Sequence, residues 1–400
     1  MEKHSSRLGL IGATATFAAV FAAAASPIPL YSLYRQVDGL TYSDLSLTAV
    51  GYFAGAVTAL LVFGRLSNHL GRRPVSLLSL GLAAVGCLIL LDVPSAAPLI
   101  VGRVLQGLAC GLASSATASF IVDNAPANPA WLAAAVSSGA PMIGLTVGAL
   151  GSGALVEYGP VPRMLPYLAV MAVLFACAAL IAASRETVRR SPGALASLRP
   201  KLMLPKGARR LFPVAACTFV ASWALGGFYQ AFGPSMATDQ LGSTNALVAA
   251  AVFASVMAPS AIGGPLAGRV SPAAAQRIGM VIFCLAVVGI LLSLRTGSVL
   301  GFLFASACAG AAQGATLTGS IRALLGGAAS GDRAGVFSLI YATCYSGAAI
   351  PSLIAGQLSR TLSLLQIVTG YGILAALACC ITLLAARNPV LRLVDGHASV

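Results

Sequence analysis

The chain has 400 residues, of which 58% are hydrophobic and only 8% are charged, and its mean hydropathy is +0.91. A soluble globular domain carries roughly 25% charged residues, so this composition excludes a soluble protein. The net charge of +14 suits a nucleic-acid partner. However, the basic residues are confined to particular loops, which membrane topology explains better, and we expect no nucleic acid to bind.

Apolar runs of about 20 residues recur along the whole chain, and each is long enough to cross a bilayer as a helix. Gly51 and Gly55, like Gly107 and Gly111, show the spacing of four residues that lets membrane helices approach closely. We therefore predict an all-α membrane protein. Its twelve spans are expected at residues 8–31, 45–66, 75–91, 99–122, 131–155, 164–183, 211–234, 246–267, 278–294, 300–325, 336–358 and 365–386.

The first span has some features of a signal peptide. Lys3 and Arg7 precede an apolar run that ends in AAAAS, which resembles a cleavage site with small residues. The run is long for a signal sequence, and its removal would leave an odd number of spans. We therefore expect the first helix to be retained.

The basic residues are distributed unevenly between the two sides of the predicted membrane. If the N-terminus is cytoplasmic, nineteen lysines and arginines lie on the cytoplasmic side and four on the opposite side, and Arg103 completes the 24 from within a span. Such an excess marks the cytoplasmic side of a membrane protein. We predict a multi-pass protein of the plasma membrane (the inner membrane in a bacterium), with both termini in the cytoplasm.

The two halves of the chain share short motifs at similar offsets. QG at 106–107 recurs at 313–314, and SGAP at 138–141 recurs as SGAAIP at 346–351. Two parallel six-helix repeats with a central site between them form one known transporter architecture. The predicted units are an N-terminal six-helix bundle at 1–184, a basic cytoplasmic linker at 185–210 and a pseudo-symmetric C-terminal six-helix bundle at 211–400.

Three segments resemble motifs of the major facilitator superfamily. GRLSNHLGRRP, between spans 2 and 3, is similar to the signature loop G-x-x-x-D-R-x-G-R-R, although Asn68 and His69 replace its acidic and first basic residue. RVLQGLACG in span 4 resembles the R-x-x-x-G segment at Arg103 and Gly107. GAPMIGLTVGALG in span 5 is a weakened form of the Gly-Pro-x-x-Gly-Gly segment of the family's exporters. Its two matching residues are Pro141 and Gly144, and Ala140 and Leu145 stand where glycines are usual.

The resemblance implies the major facilitator fold and a secondary active transporter that works by alternating access. Span 5 favours proton-coupled export of a drug or metabolite. The alternative is an importer or a facilitative uniporter of a sugar or organic acid. We expect no cofactor, with a proton gradient as the energy source, and a monomer whose partners are a small-molecule substrate and the lipid bilayer.

In the family, the signature loop locks the outward-facing state by docking against the start of span 11. We expect Arg72 to pair with Asp123 across the seam between the halves, and Asn68 to accept hydrogen bonds from amides near Gly335 and Val336. Asn68 lacks a charge, so this lock should be weaker than in relatives with an acid. The alternative is that these arginines only set topology. The predicted gate residues are Gly64, Asn68, Gly71, Arg72, Arg73 and Asp123.

Arg103 is the sole charge well inside a span, where an ionisable residue is a functional candidate by default. It would attract an anionic or polar substrate or control proton transfer, or else hold spans together through backbone carbonyls. Arg103, Gln106 and Asp44 are the residues predicted to take part in coupling or substrate binding, and Asp44 is the best candidate for a coupling carboxylate. Proton-coupled carriers usually need a titratable group in the pathway, and no acid lies in mid-span. A facilitative uniporter therefore remains an alternative.

The resemblance implies a cavity lined mainly by spans 1, 4, 7 and 10, with two tyrosines from span 11, and the polar and aromatic residues there suggest a small, mostly neutral and amphipathic substrate. Helix packing explains any one of them equally well. These cavity candidates are Phe17, Phe21, Trp223, Tyr229, Gln230, Gln313, Tyr341 and Tyr345. We expect Pro141, Gly144 and Gly148 to permit helix bending.

A membrane-embedded enzyme would need titratable side chains that converge at membrane depth. All nine cysteines fall inside apolar runs and the three histidines lie outside them, so we expect no catalytic residues and no metal site. A channel or a receptor has no support from any filter-like loop or ligand domain.

Overall fold

The computed structural model describes residues 2–126, 128, 132–200, 202–204, 206–326 and 333–389. Within these residues every regular element is helical, and twelve helices are long and apolar enough to cross a membrane, which confirms the predicted number of spans. The long helices are α1 (Glu2–Ala25), α2 (Tyr42–Thr58), α3 (Arg72–Ile89), α4 (Ala96–Asn124), α5 (Leu132–Tyr158), α6 (Leu165–Ala183), α7 (Phe212–Asp239), α8 (Ala246–Ala267), α9 (Pro272–Thr296), α10 (Val299–Leu325), α11 (Arg333–Leu358) and α12 (Leu364–Ala385).

Short helical segments extend or join the long helices. After α1, the chain continues helically through a 3₁₀ turn and a short helix, so that the first span reaches Asp38. The end of α2 is a π-helical turn, which carries the second span to Phe63. The short segments are Ile28–Leu30, Tyr31–Asp38, Ala59–Phe63, Ser67–Leu70, Ala194–Ser197 and Lys206–Ala208.

Several helices, α2 and α3 among them, begin three residues earlier than the apolar pattern predicts. At α2, Thr41 and Asp44 form a capping box, in which Thr41 N donates to Asp44 Oδ2 at 2.8 Å and Asp44 N donates to Thr41 Oγ1 at 3.2 Å. These bonds satisfy amides that a helix start leaves unpaired. Likewise, α3 begins at Arg72, because Pro74 is tolerated within the first helical turn. A polar capping box therefore extends α2 beyond its hydrophobic segment, and a first-turn proline is compatible with the early start of α3.

The two halves pack their helices in the same pattern. In the first bundle α2 and α3 both pack on α4, and α1 packs on α5; in the second, α8 and α9 pack on α10, and α7 packs on α11. Close approach depends on glycine, because a Cβ at Gly107 would overlap the carbonyl oxygen of Tyr52, and one at Gly310 would overlap that of Val256. Two pseudo-symmetric six-helix bundles are thus confirmed, while the residue bounds of the three units stay a prediction.

The bundles meet along a seam formed by α2 against α11 and α5 against α8. One end of the molecule carries residues 184–211 and is called the linker face. The opposite end, called the distal face, carries residues 39–41, 240–245 and 359–363. Within the described residues, every direct hydrogen bond between the two bundles lies at the distal face.

Candidate functional site

A central cavity of about 100 Å³ lies between the two bundles, at the middle of their helices. The first bundle contributes only aromatic and apolar side chains to it, which are Phe21, Tyr52, Phe53, Met142 and Leu145. Phe53 reaches across the seam, where its ring lies 6.1 Å from that of Tyr345. This wall of the cavity offers dispersion and aromatic contacts to a bound molecule.

The second bundle supplies the polar groups of the cavity. Trp223, Gln230, Ser260 and Gln313 line it, and Gly226 and Gly227 leave room beside them. The Trp223 Nε1, Gln230 Oε1 and Gln313 Oε1 atoms are buried without a hydrogen-bond partner in the described part of the chain. Buried polar groups are usually paired, so these atoms identify the side of the cavity that is prepared for a polar ligand or water.

Five of the predicted cavity residues line this space: Phe21, Trp223, Gln230, Gln313 and Tyr345. The other three lie outside the lining. Phe17 packs edge-on against Phe21 with ring centroids 5.4 Å apart, and the Tyr229 hydroxyl bonds Ser306 at 2.5 Å inside the second bundle. Tyr341 stands beside Tyr345, with ring centroids 6.3 Å apart. A role in substrate binding stays a prediction for all eight.

Sequence reasoning missed the lining residues on α2, α5 and α8. Tyr52, Phe53, Met142, Met257 and Ser260 lie outside the predicted set, which does not include residues of these three helices. The adjacent aromatic pair at 52 and 53, in the middle of a span, was a usable signal.

Arg103 lies inside the first bundle and is completely buried. Its Nη1 donates to the Ala24 carbonyl oxygen and to Gln106 Oε1 at 2.9 Å, and the guanidinium carbon lies 4.5 Å from the centre of the Tyr52 ring. Gln106 Nε2 in turn donates to Ala23 O at 2.9 Å. Because Tyr52 lines the cavity and Arg103 does not, the tyrosine ring separates the charge from the cavity. The bonds to carbonyl oxygens fit the structural alternative for Arg103.

Asp44 contributes to the start of α2. Its Oδ2 accepts hydrogen bonds from Thr41 N at 2.8 Å and from Thr41 Oγ1 at 2.7 Å, and within the described residues none of its hydrogen bonds crosses the seam. Helix capping therefore explains this carboxylate, and its role in coupling stays a prediction.

The signature loop brings its charged residues together at the linker face. Arg72 Nε lies 3.1 Å from Asp123 Oδ2, so the predicted contact is present. However, the pair does not span the seam as expected, because α3 and α4 both belong to the first bundle. Asn68 Oδ1 accepts from Arg72 Nη1 at 2.6 Å, while the Gly335 carbonyl oxygen receives the Met203 amide of the linker at 3.3 Å. In this conformation Asn68 is bonded within its own loop.

The linker is fixed to the signature loop by several hydrogen bonds. Glu186 accepts from the amides of Arg72 at 2.8 Å and Arg73 at 3.0 Å, and so caps α3. Gly71 has φ +105°, and a Cβ there would overlap the Glu186 carboxylate, so glycine is required on both grounds. His69 Nδ1 lies 3.0 Å from the Pro192 carbonyl oxygen. The Glu186 carboxylate at a helix N-terminus was not predicted, because it comes from a distant segment of the chain.

An ion pair joins the two bundles at the distal face. Arg35 Nη1 lies 2.9 Å from Asp239 Oδ2 and donates to Ser235 Oγ at 3.0 Å. The Tyr42 hydroxyl donates to the same Asp239 oxygen, and the Arg35 guanidinium lies 3.9 Å from the centre of the Tyr42 ring. We call Arg35, Tyr42, Ser235 and Asp239 the distal latch. The sequence predicts no acid in mid-span, which fits Asp239 at the end of α7, but it does not indicate the partner of this carboxylate.

Further hydrogen bonds close the seam beside the distal latch. On α2, Ser43 Oγ donates to Gly356 O at 2.7 Å and Ser46 Oγ donates to Ser352 O at 2.5 Å. Glu157, at the end of α5, accepts from the Ala246 amide at 2.8 Å and so caps α8 of the other bundle. These contacts must break if the bundles separate at this face.

The residues expected to permit bending have different surroundings. Pro141 lies inside α5, where proline removes a backbone hydrogen bond. A Cβ at Gly144 would overlap the Ala18 carbonyl oxygen, and one at Gly148 would overlap that of Ala22. The two glycines therefore allow α5 to lie close against α1, and a contribution to bending stays a prediction.

Comparison with known proteins places these features in a family context. The family model described as Major Facilitator Superfamily matches residues 9–353 of the 400. A crystal structure of a bacterial homolog of the human lysosomal transporter Spinster, in an inward-facing and unoccupied conformation, superposes with a TM-score of 0.74. It covers 96% of this chain and 97% of that chain at 14% identity, which shows a shared fold.

Two curated proteins are similar over short segments. Multidrug resistance protein MdtL of Klebsiella pneumoniae is 30% identical over 73 residues, which is 18% of this chain and 19% of that protein. D-xylose-proton symporter-like 2 of Arabidopsis thaliana is 33% identical over 87 residues, which is 22% of this chain and 17% of that protein. The matched segments thus cover only about a fifth of these relatives.

Proposed function

The chain belongs to the major facilitator superfamily, and on that premise we propose that it carries a small amphipathic molecule across a membrane by alternating access. The family and the fold are those of a transporter rather than of an enzyme, and the protein is a multi-pass membrane protein. One observation carries the proposal. The bundles are bonded directly to each other only at the distal face within the described residues, and a cavity lies midway along the seam.

We place the linker face in the cytoplasm of a plasma membrane (the inner membrane in a bacterium), with both termini on that side and the protein acting as a monomer. The excess of arginine and lysine in the loops of that face supports the orientation. In this orientation the distal contacts close the outer side, and the conformation is inward-facing.

Proton-coupled export is the proposed direction of transport. The span 5 segment around Pro141 supports it, as does the partial similarity to a multidrug resistance protein. A facilitative uniporter or an importer of a sugar is the second candidate, because no carboxylate of the described residues lines the cavity. Asp239 and Glu157 lie at the distal face, where a carboxylate meets only one side of the membrane and cannot by itself carry a proton across.

Alternating access is tested by distances between spin labels in the purified protein with its nine native cysteines replaced. One pair at Val37 and Leu300 spans the distal face, and one pair at Ile11 and Leu266 spans the linker face; all four side chains are exposed. We expect two populations, in which the distal distance lengthens as the linker-face distance shortens. A single unchanging distance for both pairs, in detergent and in lipid, would contradict the proposal.

The direction and coupling are tested by flux in proteoliposomes with phenyl β-D-glucoside as the probe. Antiport predicts that the probe moves faster when protons flow in the opposite direction. Uniport predicts the same rate of probe movement with and without a pH gradient. Symport predicts acceleration when protons and the probe move in the same direction.

A further inference from the structure

The polar groups of the cavity converge from two helices of the second bundle. Trp223 and Gln230 are seven residues apart on α7 and therefore lie on one helix face, with Gly226 between them. Gln313 of α10 approaches the same place, since its Nε2 lies 3.8 Å from the position of a Cβ at Gly226. The glycine thus leaves open space between an indole N–H and two carboxamides.

These groups have capacity for hydrogen bonds that the protein does not use. Gln230 is only 4% exposed, and among the described residues its Oε1 has no hydrogen-bond partner, nor do the Oε1 of Gln313 and the Nε1 of Trp223. A carboxamide both donates and accepts, whereas an indole only donates. A ligand with hydroxyl or amide groups can satisfy all three, while an apolar ligand would leave them unpaired.

The cavity has no charged side chain in its described lining. The nearest candidate, Arg103, is completely buried behind the ring of Tyr52, and its Nη1 already donates to Ala24 O and Gln106 Oε1 inside the first bundle. A charged ligand would lose its hydration without gaining a counter-ion, which disfavours anions and cations alike.

We infer that the cavity binds an uncharged amphipathic molecule in a single orientation. Its hydrogen-bonding end lies against Trp223, Gln230 and Gln313 of the second bundle, and its apolar end lies against Phe21, Tyr52 and Phe53 of the first. This inference deepens the proposed transport function and rests on it. The bundles hold opposite ends of the ligand, so the ligand bridges the two parts that move.

The test uses three probes of one shape that differ in charge: phenyl β-D-glucoside (neutral), phenyl β-D-glucuronide (anionic) and phenyl 6-amino-6-deoxy-β-D-glucoside (cationic). The chain has two tryptophans, so Trp131→Phe leaves Trp223 as the only indole, and its fluorescence reports binding to the full-length protein. We expect the neutral glucoside to bind at least about tenfold more tightly than either charged probe.

Gln230→Leu and Gln313→Leu keep the side-chain size and remove the polar group, and each should weaken glucoside binding about tenfold. Gln276→Leu is the matched control, because Gln276 is a buried glutamine that bonds Ser320 at 2.9 Å away from the cavity. It should leave the affinity within about twofold.

Any of three results would overturn the inference. A charged probe binds as tightly as the glucoside or more tightly, the double Gln230→Leu, Gln313→Leu variant binds the glucoside with unchanged affinity, or the glucoside does not bind at all. The spin-label distances report alternating access without any ligand. If those distances alternate while the binding results fail, the ligand class is wrong and the transport proposal stands.

Discussion

Two of the three guanidinium nitrogens of Arg103, Nε and Nη2, have no hydrogen-bond partner in the described part of the chain, although the side chain is completely buried. Each unmade bond of a buried group costs about 1–3 kcal/mol. The contact with the Tyr52 ring offsets part of this, by about 2 kcal/mol for a desolvated cation–π pair. Arg103 is therefore held at a cost in stability, and its charge is joined to the cavity only through Tyr52.

Replacing Arg103 by Ala should reduce the flux of phenyl β-D-glucoside at least about tenfold, because the loss of a contact worth about 2 kcal/mol frees the Tyr52 ring in the cavity wall. The amount of folded protein, measured by thermal unfolding, should not fall. Arg295→Ala is the control, since Arg295 is exposed at the distal face. Undiminished flux in Arg103→Ala would leave only the structural role for this arginine.

Helix ends carry the contacts that distinguish the two faces. At the distal face the last residue of α7, Asp239, bonds the first turn of α2 and the Tyr31–Asp38 helix of the other bundle. At the linker face the two bundles are instead connected through the linker, which bonds the signature loop and then Gly335 of α11. Opening of the distal face therefore requires the distal latch to break.

Asp239→Asn removes the charge of the distal latch and should shift the population toward the state with an open distal face. The pair is partly exposed, with side-chain exposures of 23% and 33%. A pair of this kind is worth about 0.2–1 kcal/mol, so we expect a shift of up to about fivefold in the Val37–Leu300 distance populations. Asp92→Asn is the control, because Asp92 is exposed at the same face and is not in any of the three ion pairs found among the described residues. An equal shift in both variants would contradict the specific role of Asp239.

Glu186→Gln tests the attachment of the linker to the signature loop. The carboxylate accepts from the first amides of α3 and carries the charge that a helix N-terminus favours. We expect hydrogen exchange at the Arg72 and Arg73 amides to accelerate about fivefold, as the loss of about 1 kcal/mol of capping implies. Arg189→Gln is the control, since Arg189 is an exposed linker residue that makes no side-chain hydrogen bond to the rest of the described chain. If both amides exchange at the same rate in Glu186→Gln as in the unmodified protein, the linker does not stabilise the start of α3.

For the whole molecule, the balance between the two faces depends on the loop and the distal latch together. Arg72 bonds both Asp123 and Asn68, so the loop is ordered even though the linker-face ends of the bundles make no direct hydrogen bond within the described residues. A lock at the linker face therefore needs the start of α11 to approach the signature loop. In the present conformation, with the distal face closed, the described residues of these two segments are not bonded to each other.

Asn68→Asp should favour closure of the linker face, because a carboxylate at the N-terminus of α11 gains about 0.3–1 kcal/mol from the helix dipole. We expect a shift of about two- to fivefold in the Ile11–Leu266 distance populations toward the shorter distance. Asn68→Ala is the matched control and should not shift in this direction. No shift in Asn68→Asp would mean that the arginines of the loop only set topology.

Twelve spans, the family and the division into two bundles could be predicted from the sequence. In a bilayer each crossing needs about 20 apolar residues whose backbone bonds are satisfied within the same helix, so every span is a local property of the chain. Charge asymmetry and the motif at 64–73 are equally local. The Arg72–Asp123 contact could also be predicted from the sequence, although the prediction that it spans the seam was wrong.

The distal latch, the capping of α3 by Glu186 and the presence of Met142 and Ser260 in the cavity lining were decided only by the tertiary structure. Arg35 and Asp239 are 204 residues apart, and nothing near either of them in the sequence indicates the other. Such pairs depend on how two independently formed bundles pack at their seam. The sequence by itself determines which segments cross the membrane, because burial in lipid acts on each helix alone; packing between helices decides which side chains meet.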